Sequence, residues 1–231
     1  MARLPRLVLP DLAHLVALYC HRGQAAFVDD ADRQAFLAAL RDSAREHRVA
    51  VEAYVLADEH VHLLLRPAEP AGLSAALQGL GRRYVAQFNR RHVRRGSLWA
   101  GRFRAAVLQP GTWVLRAMCF IDQHAARQAA SGSAPSQAWS SAAHHLGSQR
   151  DALLSEGPDW WALGNTPFER EAAFRKLMDA GLPDAVLRDL IYAAHKGWPM
   201  GSADWLAQLA EQSARPVAPR ARGRPPRSSK R

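Results

Sequence analysis

Apolar residues change their spacing several times along the chain, and each change marks an element. The run HLVALY (His14 to Tyr19) has the character of a buried strand, and the glycine in HRGQAAF after it suits an exit turn. From Asp29 to His47, Phe36, Leu37, Leu40 and Ala44 recur at helical spacing behind a cluster of aspartates, where the helix dipole favours negative charge. That stretch predicts an amphipathic helix. Two β-rich runs follow, VEAYVL and VHLLLR, separated by turn-forming ADEH and closed by Pro67 and Pro70. Leu73 to Arg91 returns to helical spacing, FRAAVL reads as a fourth strand, and Trp113 to Ala130 predicts a third helix after the start signal Pro110, Gly111, Thr112. The order β, α, β, β, α, β, then helix predicts an α+β fold, the ferredoxin-like split βαβ arrangement, with an antiparallel sheet covered by helices on one face.

Small, turn-rich residues from Ser131 to Ser136 announce a boundary, and three helical stretches then recur between Pro167 and Gln212. The organisation expected is a main domain over 1–147, a linker over 148–166, a three-helix unit over 167–213 and a basic tail over 214–231. A helix-turn-helix reader and a plain helical bundle both fit the three-helix unit, with the bundle preferred.

Within this frame His60 and His62 are separated by one apolar residue. Side chains two apart on a strand share a face, so both imidazoles project together while Val61 and Leu63 enter the opposite layer. Two such rings hold a divalent metal if a third ligand arrives from elsewhere; taken alone, so short and common a pattern is better read as half-exposed strand histidines.

Charge narrows the partner. The formal net charge is +10 and the isoelectric point is near 10.7, which favours a polyanion. Seven basic residues and no acid lie between Arg215 and Arg231, so the tail carries most of the excess. Within it Arg222, Gly223, Arg224 and Pro225 form an AT-hook-like R-G-R-P core, suited to A·T-rich minor grooves. In the body of the chain, Arg82, Arg83, Arg90, Arg91, Arg94, Arg95, Arg102 and Arg104 interleave with Tyr84, Phe88, Trp99 and Phe103. Arginine on phosphate with aromatics on unpaired bases is the combination for single strands or hairpin loops, which makes Trp99 and these arginines the expected DNA contacts. No apolar run is long enough to span a bilayer, the N-terminus lacks signal-peptide character, and two distant cysteines, Cys20 and Cys119, form no thiolate cluster; a cytoplasmic protein is expected.

Taken together, the histidine pair, GRRYVAQFNRRH, GSLWAGRFR, the following helix and AWSSAAHHLG resemble the single-tyrosine HUH transposases, specifically the REP-associated tyrosine transposases, over Pro5 to Gly147. The resemblance implies two histidines and a polar helix residue that bind Mg²⁺ or Mn²⁺, and a tyrosine on that helix that joins covalently to the DNA 5′ end. Carried onto this chain, the pair is His60 and His62, the nucleophile position is Phe120 and the helix ligand position is His124, with Arg127 facing DNA from the same helix. Phenylalanine has no oxygen to attack with. Three histidines would suit Zn²⁺, Ni²⁺, Co²⁺ or Mn²⁺ better than Mg²⁺, while His124 as an ordinary polar helix residue stands as an equal alternative.

Three functions therefore compete. The first is a transposase-family protein that recognises hairpin or palindromic DNA with its tyrosine chemistry impaired. The second is a metal-dependent nuclease using a metal-bound water, for which Glu59 is a weak candidate base. The third is a regulatory duplex-DNA binder built on the helical unit and tail.

Overall fold

Strand β3 (His60–Pro67) runs antiparallel to β2 (Val49–Leu56) on one side and to β1 (His14–Tyr19) on the other, and β1 pairs with β4 (Arg104–Val107), giving the order β2-β3-β1-β4. Helix α1 (Asp30–Glu46) carries the chain from β1 to β2, and α2 (Gly72–Arg91) carries it from β3 to β4. This is the split βαβ arrangement expected from the sequence. The computed structural model describes residues 6–130, 139–213 and 215–219, so the AT-hook-like residues Arg222 and Arg224 lie outside the described residues.

Alternation in β3 sorts its side chains into two cores. Val61, Leu63 and Leu65 pack with Phe36 and Leu40 of α1 and with Leu73, Leu80 and Tyr84 of α2. Leu64 faces the other way, toward Val114, Met118 and Ile121 of α3 (Thr112–Asp122) and Leu190 and Ala193 of α8 (Asp184–Lys196). Helices thus cover both faces. Coverage of one face holds only for α1 and α2, because the second face of a sheet this apolar also needs a partner.

The helices expected between 167 and 213 form as α7 (Pro167–Ala180), α8 and α9 (Ala203–Gln212). Their ends follow local chemistry: Thr166 and Glu169 close a capping box on α7, Gly197 ends α8 in the left-handed region, and the Ser202 hydroxyl accepts from the Trp205 N–H at the start of α9. They dock on the sheet. Phe174 of α7 and Leu190 of α8 are fully buried in the second core, and the Met200 N–H donates to the Val107 carbonyl while its own carbonyl accepts from Gln109 N–H. Residues 148–166 are bound in as well: Ser155 N–H donates to the Val51 carbonyl, and α6 (Pro158–Trp161) buries Trp160.

The expected helix over 113–130 is divided into α3 and α4 (His124–Ala130), with Gln123 at the junction. The Gln123 amide donates to the Met178 carbonyl of α7 at 2.6 Å. Just before it, the buried Asp122 carboxylate accepts from Ser141 Oγ at 2.5 Å and from His145 Nδ1, on α5 (Ala142–His145), at 2.6 Å. Tertiary hydrogen bonds at 122 and 123 outweigh the helical continuity that the sequence pattern alone suggests.

A buried ion network ties α6 to the sheet. The register shifts between Val51 and Ala53, and there Glu52 accepts from Arg66 Nε at 2.5 Å. Arg66 Nη2 reaches Asp159 at 2.7 Å, and the Asp159 carboxylate also accepts from Gly111 N–H. Burial pushes the Glu52 carboxyl up, against the pull of Arg66. Removing the guanidinium strands two buried carboxylates, so Arg66→Ala should lower the unfolding free energy by roughly 3 kcal/mol or more in urea titration. A loss below about 1 kcal/mol would show that the two acids resolvate on their own.

Candidate metal centre and its nucleic-acid face

His60 and His62 leave β3 on the side facing α3 and α4, as period-two geometry requires. His124 opens α4, and its ring meets them. His60 Nε2 and His124 Nε2 lie 2.8 Å apart, one ring N–H donating to the other's lone pair, and one nitrogen from each of the three rings falls within 4.8 Å of the others. The structure therefore brings the three histidines together. His62 Nδ1 is buried without a hydrogen-bond partner among the described residues, an orphan of the kind that a ligand relieves. The donor set fits a divalent transition metal, since neutral imidazoles are the ligands such ions take.

Electrostatics keeps the rings neutral. Burial first, then the charge of His195, pushes His60 down to about 4; burial, His60 and Arg127 push His124 down to about 4; and His62 lies well below its ordinary value for the same reasons. No proton has to leave before a metal binds at neutral pH.

The histidines sit at the foot of a cleft of about 400 Å³ that Phe120, Arg127, Tyr19, Cys20, Glu59 and His195 also line. Phe120, at the expected nucleophile position, stands 5.3 Å from the His62 ring between centroids, so the position adjoins the three histidines but offers no oxygen. Arg127 stacks its guanidinium over Phe120 at 4.7 Å and donates to that residue's carbonyl. Burial lowers Arg127 to about 10. Tyr19 and His195 stack on each other at 4.8 Å with planes 6° apart. Neither stands out in the sequence as part of the site: Tyr19 gains its place from pairing opposite His60, and His195 comes from a helix more than a hundred residues downstream. Tyr84, by contrast, is core: it is 1% exposed and its hydroxyl donates to the Ala26 carbonyl.

The arginines expected to meet DNA divide by their engagements. Arg83 pairs with Glu46 and Ser43, Arg91 with Asp29 and Asp32, and Arg94 donates to Gln24 and Asn89. Arg82, Arg90, Arg95, Arg102 and Arg104 are exposed and make no side-chain hydrogen bond or ion pair among the described residues. Trp99 is half-buried, with its ring against those of Phe36 and Tyr84.

Residues 12–112 match the family described as IS200-like transposases. That segment holds His60 and His62 and stops before Phe120 and His124. A structure of a REP-associated tyrosine transposase bound to a REP hairpin shares the fold, with a TM-score of 0.52 and 10% identity over 67% of this chain and 98% of that one. A candidate transposase from Deinococcus radiodurans R1 is 25% identical over 46% of this chain and 84% of its own, with a TM-score of 0.33. No curated protein matches the chain. Residues 12–112, which carry the four strands and the histidine pair, are thus similar in sequence to the IS200-like transposases over a little under half of the chain.

Proposed function

We propose that this chain binds hairpin DNA at the three-histidine cleft, holding a divalent metal with His60, His62 and His124, and that its native form makes no tyrosyl–DNA bond from the helix position. The observation that carries the reading is the convergence of the three imidazoles beside Phe120. His60, His62 and His124 would hold the ion there, and it would supply Lewis-acid polarisation of a phosphate oxygen of the DNA. Arg127 adds a second positive charge on the same wall, and the exposed arginines of α2 and the loop after it, Arg90, Arg95 and Arg102 among them, meet the phosphates outside. The AT-hook-like tail, through Arg222 and Arg224, adds contact to A·T-rich duplex. Supporting the choice of hairpin is the shared fold of a relative that itself holds one. Cleavage without a covalent adduct would favour hydrolysis over this reading, with Glu59 at the rim of the cleft as the group to test.

Metal binding is the first check. His124→Ala should weaken Mn²⁺ or Co²⁺ binding, measured by calorimetry and by the visible spectrum of the Co²⁺ form, by at least about tenfold. Unchanged affinity would leave His124 as an ordinary helix residue. The second check is salt. Hairpin affinity should fall steeply and linearly on logarithmic axes between about 50 and 200 mM salt, by on the order of 10³-fold if six phosphates are neutralised, and a flat response would remove phosphate as the main contact.

The third check restores an oxygen. Phe120→Tyr adds one hydroxyl to a ring that stands 5.3 Å from the His62 ring and 4.7 Å from the Arg127 guanidinium. With Mn²⁺ and hairpin DNA, Phe120→Tyr is expected to give a covalent protein–DNA band in denaturing gels, and the native chain none. A band from the native chain would overturn the placement of the nucleophile and direct attention to Tyr19, which lines the same cleft.

A further inference from the structure

His60 and His62 stand on β3 and His124 on α4, and the sheet ladder holds only the strand. Something else must hold the helix. Asp122, two residues before His124, is buried and outside the lining of the cleft. Its carboxylate accepts from Ser141 Oγ at 2.5 Å and from His145 Nδ1 at 2.6 Å.

The segment carrying both donors is fastened to β2. Ser141 N–H donates to the Tyr54 carbonyl at 3.0 Å, Tyr54 N–H donates to Ser141 Oγ at 3.1 Å, and Leu56 N–H donates to the Trp139 carbonyl at 2.9 Å. Val55, between Tyr54 and Leu56, pairs with His62 across the β2–β3 ladder. A closed circuit results. From His62 it passes across the ladder to β2, through Tyr54 to Ser141, to Asp122 and along two residues to His124, whose Nε2 lies 2.8 Å from His60 Nε2.

On the reading of His124 as a metal ligand given above, we infer that Asp122 is the positioning residue of the metal centre: by holding the α3–α4 junction on Ser141 and His145, it aims His124 at His60 and His62.

The junction breaks where these bonds pull. In an unbroken helix the Phe120 carbonyl accepts the His124 N–H. Here α3 ends at Asp122, and that carbonyl accepts from the Arg127 guanidinium. Gln123 adds its amide bond to the Met178 carbonyl at 2.6 Å, so two adjacent residues hold the break against three partners outside the helix. Strand register fixes the first two imidazoles side by side, whereas a helix free to pivot at its junction would swing the third away, and a metal site tolerates only small departures from its ligand distances.

A carboxylate suits the task because both of its oxygens accept. Each donor is oriented from elsewhere: the Ser141 hydroxyl by the Tyr54 N–H, and the His145 ring by Trp160 at 5.0 Å and Phe174 at 5.3 Å. Asparagine has the same size but presents one acceptor and one donor, and cannot satisfy both.

The test uses the full chain and Co²⁺, with folding of each variant verified by circular dichroism. Asp122→Asn keeps the volume, Ser141→Ala removes one of the two bonds, and Leu40→Ala truncates the core under α1 and α2, destabilising the fold without touching the junction. Co²⁺ affinity, read from the visible spectrum, should fall about tenfold or more in Asp122→Asn and about threefold in Ser141→Ala. For Leu40→Ala it should stay within about twofold. In a His124→Ala background Asp122→Asn should cause no further loss, because the ligand through which it acts is already gone. Equal loss in both backgrounds, the same loss from Leu40→Ala, or native affinity in Asp122→Asn would each overturn the inference. Should Asp122→Asn fail to fold, Ser141→Ala carries the same comparisons. If the native chain takes up no Co²⁺, the metal reading fails by itself, and the positioning is then read in the metal-free protein by nuclear Overhauser contacts. The one between the His60 and His124 rings, 4.8 Å apart, should disappear in Asp122→Asn while the one between His60 and His62 persists. Survival of both contacts would overturn the assignment there as well.

Discussion

Two-residue periodicity in β3 is the constraint from which the rest of the molecule follows. Because Val61, Leu63 and Leu65 must meet α1 and α2, His60, His62 and Leu64 are forced to the opposite face, and that face must be covered in its turn. The cover is built from α3, α6, α7 and α8. A one-residue slip of β3 would exchange the faces, placing imidazoles in the apolar layer and leucines in the cleft. Pairing on both sides, six positions with β1 and a longer ladder with β2, holds the register against that slip.

Clustering three imidazoles under a helix carries a cost that the fold meets by keeping them uncharged. A buried imidazolium beside two others would be repelled by each, and burial lowers all three titrations in the same direction. The linkage has a definite sign. Groups that titrate near 6.5 when unfolded and about 4 when folded take up protons preferentially in the unfolded state, so their contribution is intact above 6.5 and is lost as pH falls toward 4. His14 behaves in the same way from a purely structural position, with Nδ1 donating to the Leu12 carbonyl and Nε2 accepting from Leu9 N–H. What separates the site from His14 is satisfaction: both nitrogens of His14 have partners, and the Nδ1 of His62 has none among the described residues.

The sequence made the local part of this legible. Strands, the two crossover helices and the shared face of His60 and His62 all follow from spacing within windows of twenty residues or fewer, and each element lies where that spacing puts it. Long-range choices were not visible. The division of the third helix depends on Asp122 meeting Ser141 and His145, and on Gln123 meeting Met178, contacts that no local pattern encodes. Helices that read as a separate bundle pack instead on the second sheet face, because amphipathic spacing shows that a helix has an apolar side and leaves open what that side meets. The same holds for Tyr19 and His195, whose places beside the three histidines come from strand register and from the docking of α8.

Positive charge shows the difference between composition and function most clearly. Spacing alone put the arginines of α2 and its loop into one set, yet the acids at the start of α1 claim Arg91, and Glu46 at its end claims Arg83. Those pairs bind α2 to α1 across the first core and use up charge that a polyanion would otherwise meet. The Arg83–Glu46 pair is largely exposed, and such contacts contribute little stability individually, whereas Arg91 is held against the 2% exposed Asp32. On the opposite side of the sheet the balance reverses. Arg102 and Arg104 meet Lys196 in a cavity that no acid lines among the described residues, and the docking of α8 on β4 makes these sequence-distant groups neighbours. A basic surface of this kind is produced by the tertiary fold rather than by a run of basic residues, and it adjoins the three histidines through a single shared side chain, Tyr19.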